Sequence, residues 1–129
     1  MLDHVTVCAS DFATSLTFYD AVLGALGLSR VYELGDEEED EPGVEVAAFG
    51  GDGDLAQVWL VGGSTTTRGV HLAFRAATRS VVEAFHEAAL AAGGTSHDAP
   101  RRWPIYRTGD FNAIVADPDG NLIEAVATE

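Results

Sequence analysis

The chain has no lysine, one cysteine, one methionine and only seven basic residues, every one of them an arginine. Without lysine there is no ε-amine to form a Schiff base and no P-loop side chain to reach a nucleotide's phosphates. Kinase, P-loop and pyridoxal-phosphate chemistries are thereby excluded. The lone Cys8 cannot form an internal disulfide, which removes the disulfide-stapled secreted scaffolds. No apolar run approaches the roughly 20 residues of a membrane span. The opening MLDHVTV also lacks the basic and long apolar regions of a secretory leader. A cytoplasmic location is the expectation. The seven arginines face 21 acidic residues, and a formal charge of -14 repels nucleic-acid backbones and anionic membrane surfaces alike. Neither is an expected partner.

What is present is a chain of 129 residues, 47% hydrophobic and 22% charged, enough for one core. It carries an internal repeat. Sliding DHVTVCASDFATSLTFYDAVLGALGL along the sequence by 67 positions brings His4 onto His71, Phe18 onto Phe85, Leu23 onto Leu90 and Gly27 onto Gly94. The same offset without a gap lays DGDLAQ over DGNLIE, so that Gln57 falls on Glu124. The organisation expected is a single domain, 1–129, made of module one (1–61), a linker (62–68) and module two (69–129).

Each module reads as a strand, a helix and about three more strands. Val5 to Ala9 and Val70 to Phe74 are short β-rich runs. Asp11 and Thr78 occupy equivalent N-cap positions before apolar stripes at helical spacing, Phe18 and Val22 in one module and Phe85 and Ala89 in the other. Gly27 and Gly94 suit the helix exits. Val44 to Phe49 and Leu55 to Val61 pair in module one, as Phe111 to Ala116 and Leu122 to Val126 do in module two. Pro118 and Gly120 set the turn in DPDGN. Neither module can bury both faces of a sheet alone. The fold expected is α+β, two βαβββ modules forming a curled mixed sheet around a central cavity with the helices outside.

Alternation along the first strand puts His4, Thr6 and Cys8 on one face and Val5 and Val7 on the other. The valine face meets the helix, so His4, and His71 by equivalence, look into the concavity. Gln57 and Glu124 are polar residues inside apolar strands, and a carboxylate on an inward face is costly unless paired, protonated or bound to metal. Two imidazoles, an amide and a carboxylate from matching strands point to a divalent ion. Trp59 shares a face with Gln57, which leaves open whether the amide or the indole fills the fourth position.

With DHVTV, the helix ending in FYDAVLGALGL, HLAF and DPDGNLIEAV in place, the chain resembles the vicinal oxygen chelate superfamily: glyoxalase I, bleomycin-resistance proteins, fosfomycin-resistance thiol transferases, methylmalonyl-CoA epimerase and extradiol dioxygenases. The resemblance implies metal ligands at His4, Gln57, His71 and Glu124. That set looks most like the epimerase's, while His4, His71 and Glu124 alone also match the dioxygenase and thiol-transferase triads. The cofactor implied is a divalent ion, with Fe, Mn, Ni, Co and Zn all compatible. The function implied is lyase, isomerase or epimerase chemistry on a small substrate that chelates the ion through oxygen atoms, in a homodimer whose cavity is completed within one chain or across two. Glu124 is the general base nominated, with Glu45 a lesser candidate. The run Arg101 to Arg107 reads as a basic, aromatic lid opposite an acidic stretch, Asp36 to Glu41, so Trp103, Tyr106, Arg107 and Phe111 join Trp59 as candidate substrate contacts. The competing reading is a metal-free drug- or metabolite-binding resistance protein of the same fold, its ligand held between those aromatics.

Overall fold

The computed structural model describes residues 1–34, 45–51, 55–63 and 65–128. The first half runs β1 (Val5–Ala9), α1 (Phe12–Ala25), β2 (Ser29–Leu34), β3 (Glu45–Gly50) and β4 (Ala56–Gly62). The second repeats the order as β5 (His71–Arg75), α2 (Arg79–Ala91), β6 (Thr95–Arg102), β7 (Asp110–Ala116) and β8 (Leu122–Thr128). Each half makes its own four-stranded mixed sheet, ordered β1-β4-β3-β2 and β5-β8-β7-β6. The first strand of each runs parallel to the last, and the remaining pairs are antiparallel. The fold is thus the expected α+β pair of βαβββ modules. Strand ends differ from the expectation by a residue or two; Val44 lies outside the described residues, and Gly62, read as linker, closes β4.

Both helices begin as their sequences dictate. The Asp11 carboxylate accepts from the Thr14 amide and the Thr78 hydroxyl from the Val81 amide, satisfying donors that have no partner in the first turn. They end differently. Gly27 leaves α1 at a φ of 91°, as expected, but the corresponding residue after α2 is Gly93, at 90°, and not Gly94. The absent side chain of Gly94 serves another purpose: a Cβ there would lie 2.5 Å from a ring carbon of Phe18.

That difference is the first sign that the repeat offset drifts. Thr6 of β1 and Ala73 of β5 stand at matching places in their sheets, 67 apart. Ala48 of β3 and Ile114 of β7 correspond at 66, and Trp59 of β4 and Glu124 of β8 at 65. One extra residue before the exit of α1 and one more in the β3–β4 connection account for the two steps. The ungapped match of DGDLAQ to DGNLIE is therefore not a structural equivalence: the place of Glu124 is taken in the first sheet by Trp59.

The apolar stripes do what their spacing predicts. Phe18, Val22, Phe85 and Ala89 are fully buried beside Val7, Leu60, Val115 and Ile123 of the sheets. However, α1 packs on α2 as well as on its own sheet, through Phe18 against Gly94, and one continuous core joins the halves. The two four-stranded sheets are separate and not closed on one another. Helix faces rich in apolar residues bury each other in the middle, and the opposite sheet faces are left open.

The DPDGN turn fastens the halves together. The Tyr19 hydroxyl of α1 donates to Asp117 (2.6 Å), Asn121 donates to Asp117 and to the Thr67 carbonyl, and Ser10 donates both its amide and its hydroxyl to Asp119. Tyr19, Asp117 and Asn121 are buried. Burial, reinforced by the Asp117 carboxylate, pushes the Tyr19 phenol above its ordinary range and keeps it a donor. The linker is tied as well, since Thr67 exchanges hydrogen bonds with the backbone of Cys8 on the edge of β1.

Candidate functional site

In each sheet the residues opposite the helix form a free face, and alternation decides its composition. On the first sheet it carries His4, Thr6 and Cys8, beside Gln57, Trp59 and Val61. Cys8 is half-buried and unpaired with any other cysteine. Trp59 stands between Tyr32 (5.8 Å between ring centroids) and His4 (6.2 Å, edge to face), over the buried Ala48 with which it is paired across β3. His4 turns its Nδ1 to Asp3 (2.8 Å) and keeps 47% of its side chain exposed. His4 and Gln57 line a cleft of about 370 Å³, together with residues Leu72 to Arg75 of β5.

The second sheet's free face is polar where the first is aromatic. His71 Nε2 lies 2.8 Å from Glu124 Oε1, and the amide of Asn112 donates to Glu124 Oε2 at 2.6 Å. Asn112 is 7% exposed, and the side chains of Glu124 and His71 are 14% and 48% exposed. A half-buried carboxylate is thus held from both sides, one oxygen toward an accessible imidazole and the other locked by an amide. Asn112 was not singled out from sequence, although the signal that marks Gln57 and Glu124, a polar residue inside an apolar strand, marks it too.

The sequence-derived set is therefore brought together only in part. His71 and Glu124 meet, and His4 and Gln57 share a cleft, but neither His71 nor Glu124 lines that cleft. Among the described residues no three His, Cys, Asp or Glu side chains gather closely enough to hold an ion. Glu45 pairs with Gly62, at the end of β4 remote from Gln57, roughly 16 Å along the strand. It is not beside His4.

The lid residues also redistribute. Arg101 and Arg102 belong to β6, so the connecting loop begins at Trp103. Trp103 is stacked under Arg101, and Tyr106 lies exposed beside Arg107, which is anchored on the buried Asp110 (3.0 Å). These arginines are engaged by the protein itself. Phe111 shares a face with the fully buried Ala113 and Val115, under α2, with the Arg79 guanidinium 5.1 Å from its ring. It belongs to the core side of β7, because its position in the alternation is opposite to that of Asn112. The acidic stretch Asp36 to Glu41 lies outside the described residues.

The donor set can be tested against an ion from its own chemistry. His71 Nε2 and Glu124 Oε1 are hydrogen-bonded at 2.8 Å, and an imidazole nitrogen and a carboxylate oxygen are both donor types that a divalent ion takes. The pair fits; a complete ligand shell needs further donors.

Among curated proteins no relative matches the chain. Among solved structures, a glyoxalase/bleomycin resistance protein from Albidiferax ferrireducens T118 is 27% identical with a TM-score of 0.77, over 100% of this chain and 99% of that one. A glyoxalase I mutant from Zea mays superposes with a TM-score of 0.69 at 19% identity, over 97% of this chain and 43% of the maize chain. A mutant of the fosfomycin resistance protein FosX from Listeria monocytogenes, complexed with Mn(II) and 1S,2S-dihydroxypropylphosphonic acid, superposes with a TM-score of 0.66 at 20% identity, over 97% and 90%. No helix among the described residues is long and apolar enough to cross a membrane. The family model of the Glyoxalase/Bleomycin resistance protein/Dioxygenase superfamily matches residues 1–125, and with paired βαβββ modules and open sheet faces to accompany that match, the chain belongs to this superfamily.

Proposed function

We propose that the chain is a metal-dependent enzyme of glyoxalase type, a single domain working as a cytoplasmic homodimer. It performs lyase, isomerase or epimerase chemistry on a small substrate that chelates the ion through oxygen atoms. The observation that carries this reading is the His71–Glu124 pair, an imidazole and a carboxylate in contact on an open sheet face and braced by Asn112. The FosX complex with Mn(II) supports the cofactor class. Fe, Mn, Ni, Co and Zn all suit imidazole and carboxylate donors.

His4 and Gln57 supply the remaining donors from a second copy. Within one chain α1 and α2 pack on each other, and His4 lines a cleft that neither His71 nor Glu124 lines, so facing another copy is the simplest way to bring the two histidines together. A bound divalent ion would supply Lewis acidity toward a chelated carbonyl or hydroxyl oxygen. The chain's own contribution is orientation and proton handling: Glu124 Oε1 meets the imidazole of His71, with which it can share a proton, while Oε2 is held by Asn112.

The test is metal uptake by the wild type, by His4→Ala and by His71→Ala, followed by mixing the two variants. Uptake by the wild type, loss in each variant and partial recovery in the mixture are expected, since a mixed dimer regenerates one intact site from the two unaltered modules. A wild-type chain that takes up no divalent ion overturns the enzyme reading. Recovery failing in a demonstrably mixed dimer overturns the shared site alone.

A metal-free binding protein is the second reading, favoured by the Tyr32–Trp59–His4 aromatic row and by the absence of a three-ligand group among the described residues. Trp59 fluorescence responding to ligand in chelator-treated protein is its signature. Dioxygenase chemistry would instead consume oxygen with Fe(II), and thiol transfer would consume a thiol.

A further inference from the structure

Six of the seven arginines are committed within the chain. Arg30 pairs with Asp20, Arg68 and Arg102 reach carbonyl oxygens, Arg79 covers Phe111, and Arg101 and Arg107 pair with Asp98 and Asp110. Among the described residues Arg75 alone makes no hydrogen bond, ion pair or ring contact. In a chain with 21 acidic residues against seven basic ones, an arginine without a carboxylate partner is not explained by scarcity of partners.

Its position supplies a reason. Arg75 ends β5 on the face that carries His71, and it lines the cleft of about 370 Å³ between the unpaired edges of β1 and β5. The apolar wall of that cleft is made by Val5, Leu26, Leu28, Leu72 and Phe74, all only partly buried against the core. Asp3, the carboxylate on the same cleft, is turned to His4. An apolar wall with a single available guanidinium is the complement of an amphiphilic anion, because the fork of five N–H donors matches a carboxylate while the wall gains by covering a hydrocarbon body. The volume lies at the lower end of the roughly 300–1,000 Å³ of ligand pockets and sets a small size.

We propose that the cleft between β1 and β5 binds a small monocarboxylate with an apolar body, its carboxylate on Arg75 and its body on Leu28, Leu72 and Phe74. As a statement of substrate class this rests on the enzyme reading above. As a binding site it does not, and the experiment separates the two by using metal-stripped protein.

The full chain, treated with chelator, is titrated with hexanoate, hexanol and hexylamine by calorimetry and by amide NMR. Hexanoate is expected to bind saturably and shift the amides of Leu72 to Arg75, with hexanol and hexylamine much weaker. Arg75→Gln should weaken hexanoate about tenfold or more while leaving hexanol unchanged, and Arg75→Lys should fall between. Equal binding of hexanoate and hexanol, or hexanoate binding indifferent to Arg75→Gln, overturns the proposal. So does hexanoate binding that appears only after an ion is added and vanishes in His71→Ala, an outcome that would leave the metal reading standing. A cleft closed to hexanoate at all protein concentrations giving dimer, by sedimentation, would assign it to the second copy and also overturn the proposal.

Discussion

The free faces of the two sheets descend from one repeated pattern, yet they have opposite chemistry. Where Glu124 stands in the second sheet, the first has Trp59; where Asn112 stands, the first has Val46; where Ile114 stands, the first has Ala48, small enough to be covered by the indole. The histidines at the foot of the first strands are shared, as are Val61 and Val126 near the ends of the last. One face can hold charge and the other can stack on planar or apolar groups. The comparison teaches that duplication conserved the scaffold contacts, such as Phe18 and Phe85, while the open faces were free to diverge, because exposed positions carry little of the packing energy.

The sharpest way to break the comparison is at the two glycines that the repeat aligns. Gly94→Ala places a Cβ against the Phe18 ring and the Ala89 carbonyl, and overpacking of this kind should cost up to about 3 kcal/mol in a denaturant melt. Gly27→Ala meets no atom within 4 Å and suffers only from its positive φ, for about 1 kcal/mol. Equal losses would mean that the helix packing described for Phe18 is not what Gly94 protects.

Next comes the brace on Glu124. Asn112→Ala should weaken divalent-ion binding by about 10–100-fold, the usual cost of losing a partner that orients a ligand, whereas Val46→Ala at the matching place should leave it unchanged. Isothermal titration decides, and an Asn112→Ala chain with wild-type affinity would show that the amide does not orient the carboxylate.

The smallest effect concerns the turn that joins the halves. Burial raises the Asp119 carboxyl, but the Ser10 hydroxyl and amide and the Arg68 charge outweigh it and hold the group below its ordinary value. A carboxyl whose folded value is depressed adds stability above the unfolded value, near pH 3.9, and loses it as pH falls through the folded one. Asp119→Asn should therefore be less stable than the wild type at neutral pH, by less than about 1 kcal/mol for so exposed a group, with the gap closing in acid. A gap that stays constant down to strongly acidic pH would assign the loss to something other than the charge.

Much of this was legible beforehand. The caps at Asp11 and Thr78, the buried stripes and the strand faces followed from spacing, because capping and alternation are local properties of the backbone. The pairing of Glu124 with Gln57 did not survive: it relied on an ungapped offset, and single-residue insertions leave sequence similarity intact while moving every later residue in the sheet. Phe111, nominated with the lid aromatics, begins a strand, and alternation gives it the face of the buried Ala113 and Val115 and gives Asn112 the other. The lid arginines looked available in the sequence, but two of them are taken up by acidic residues three positions away, Arg107 by Asp110 and Arg101 by Asp98.

By itself the sequence determined the elements, the doubling and which residue types face away from the helices, since these depend on periodicity and on the chemistry of single side chains. Tertiary structure alone decided that His71 meets Glu124, that Asn112 holds the carboxylate, that Trp59 fills the matching place, and that Arg75 has no partner among the described residues. The contact of His71 with Glu124 joins groups 53 positions apart and the other outcomes depend on strand register, neither of which a local pattern encodes.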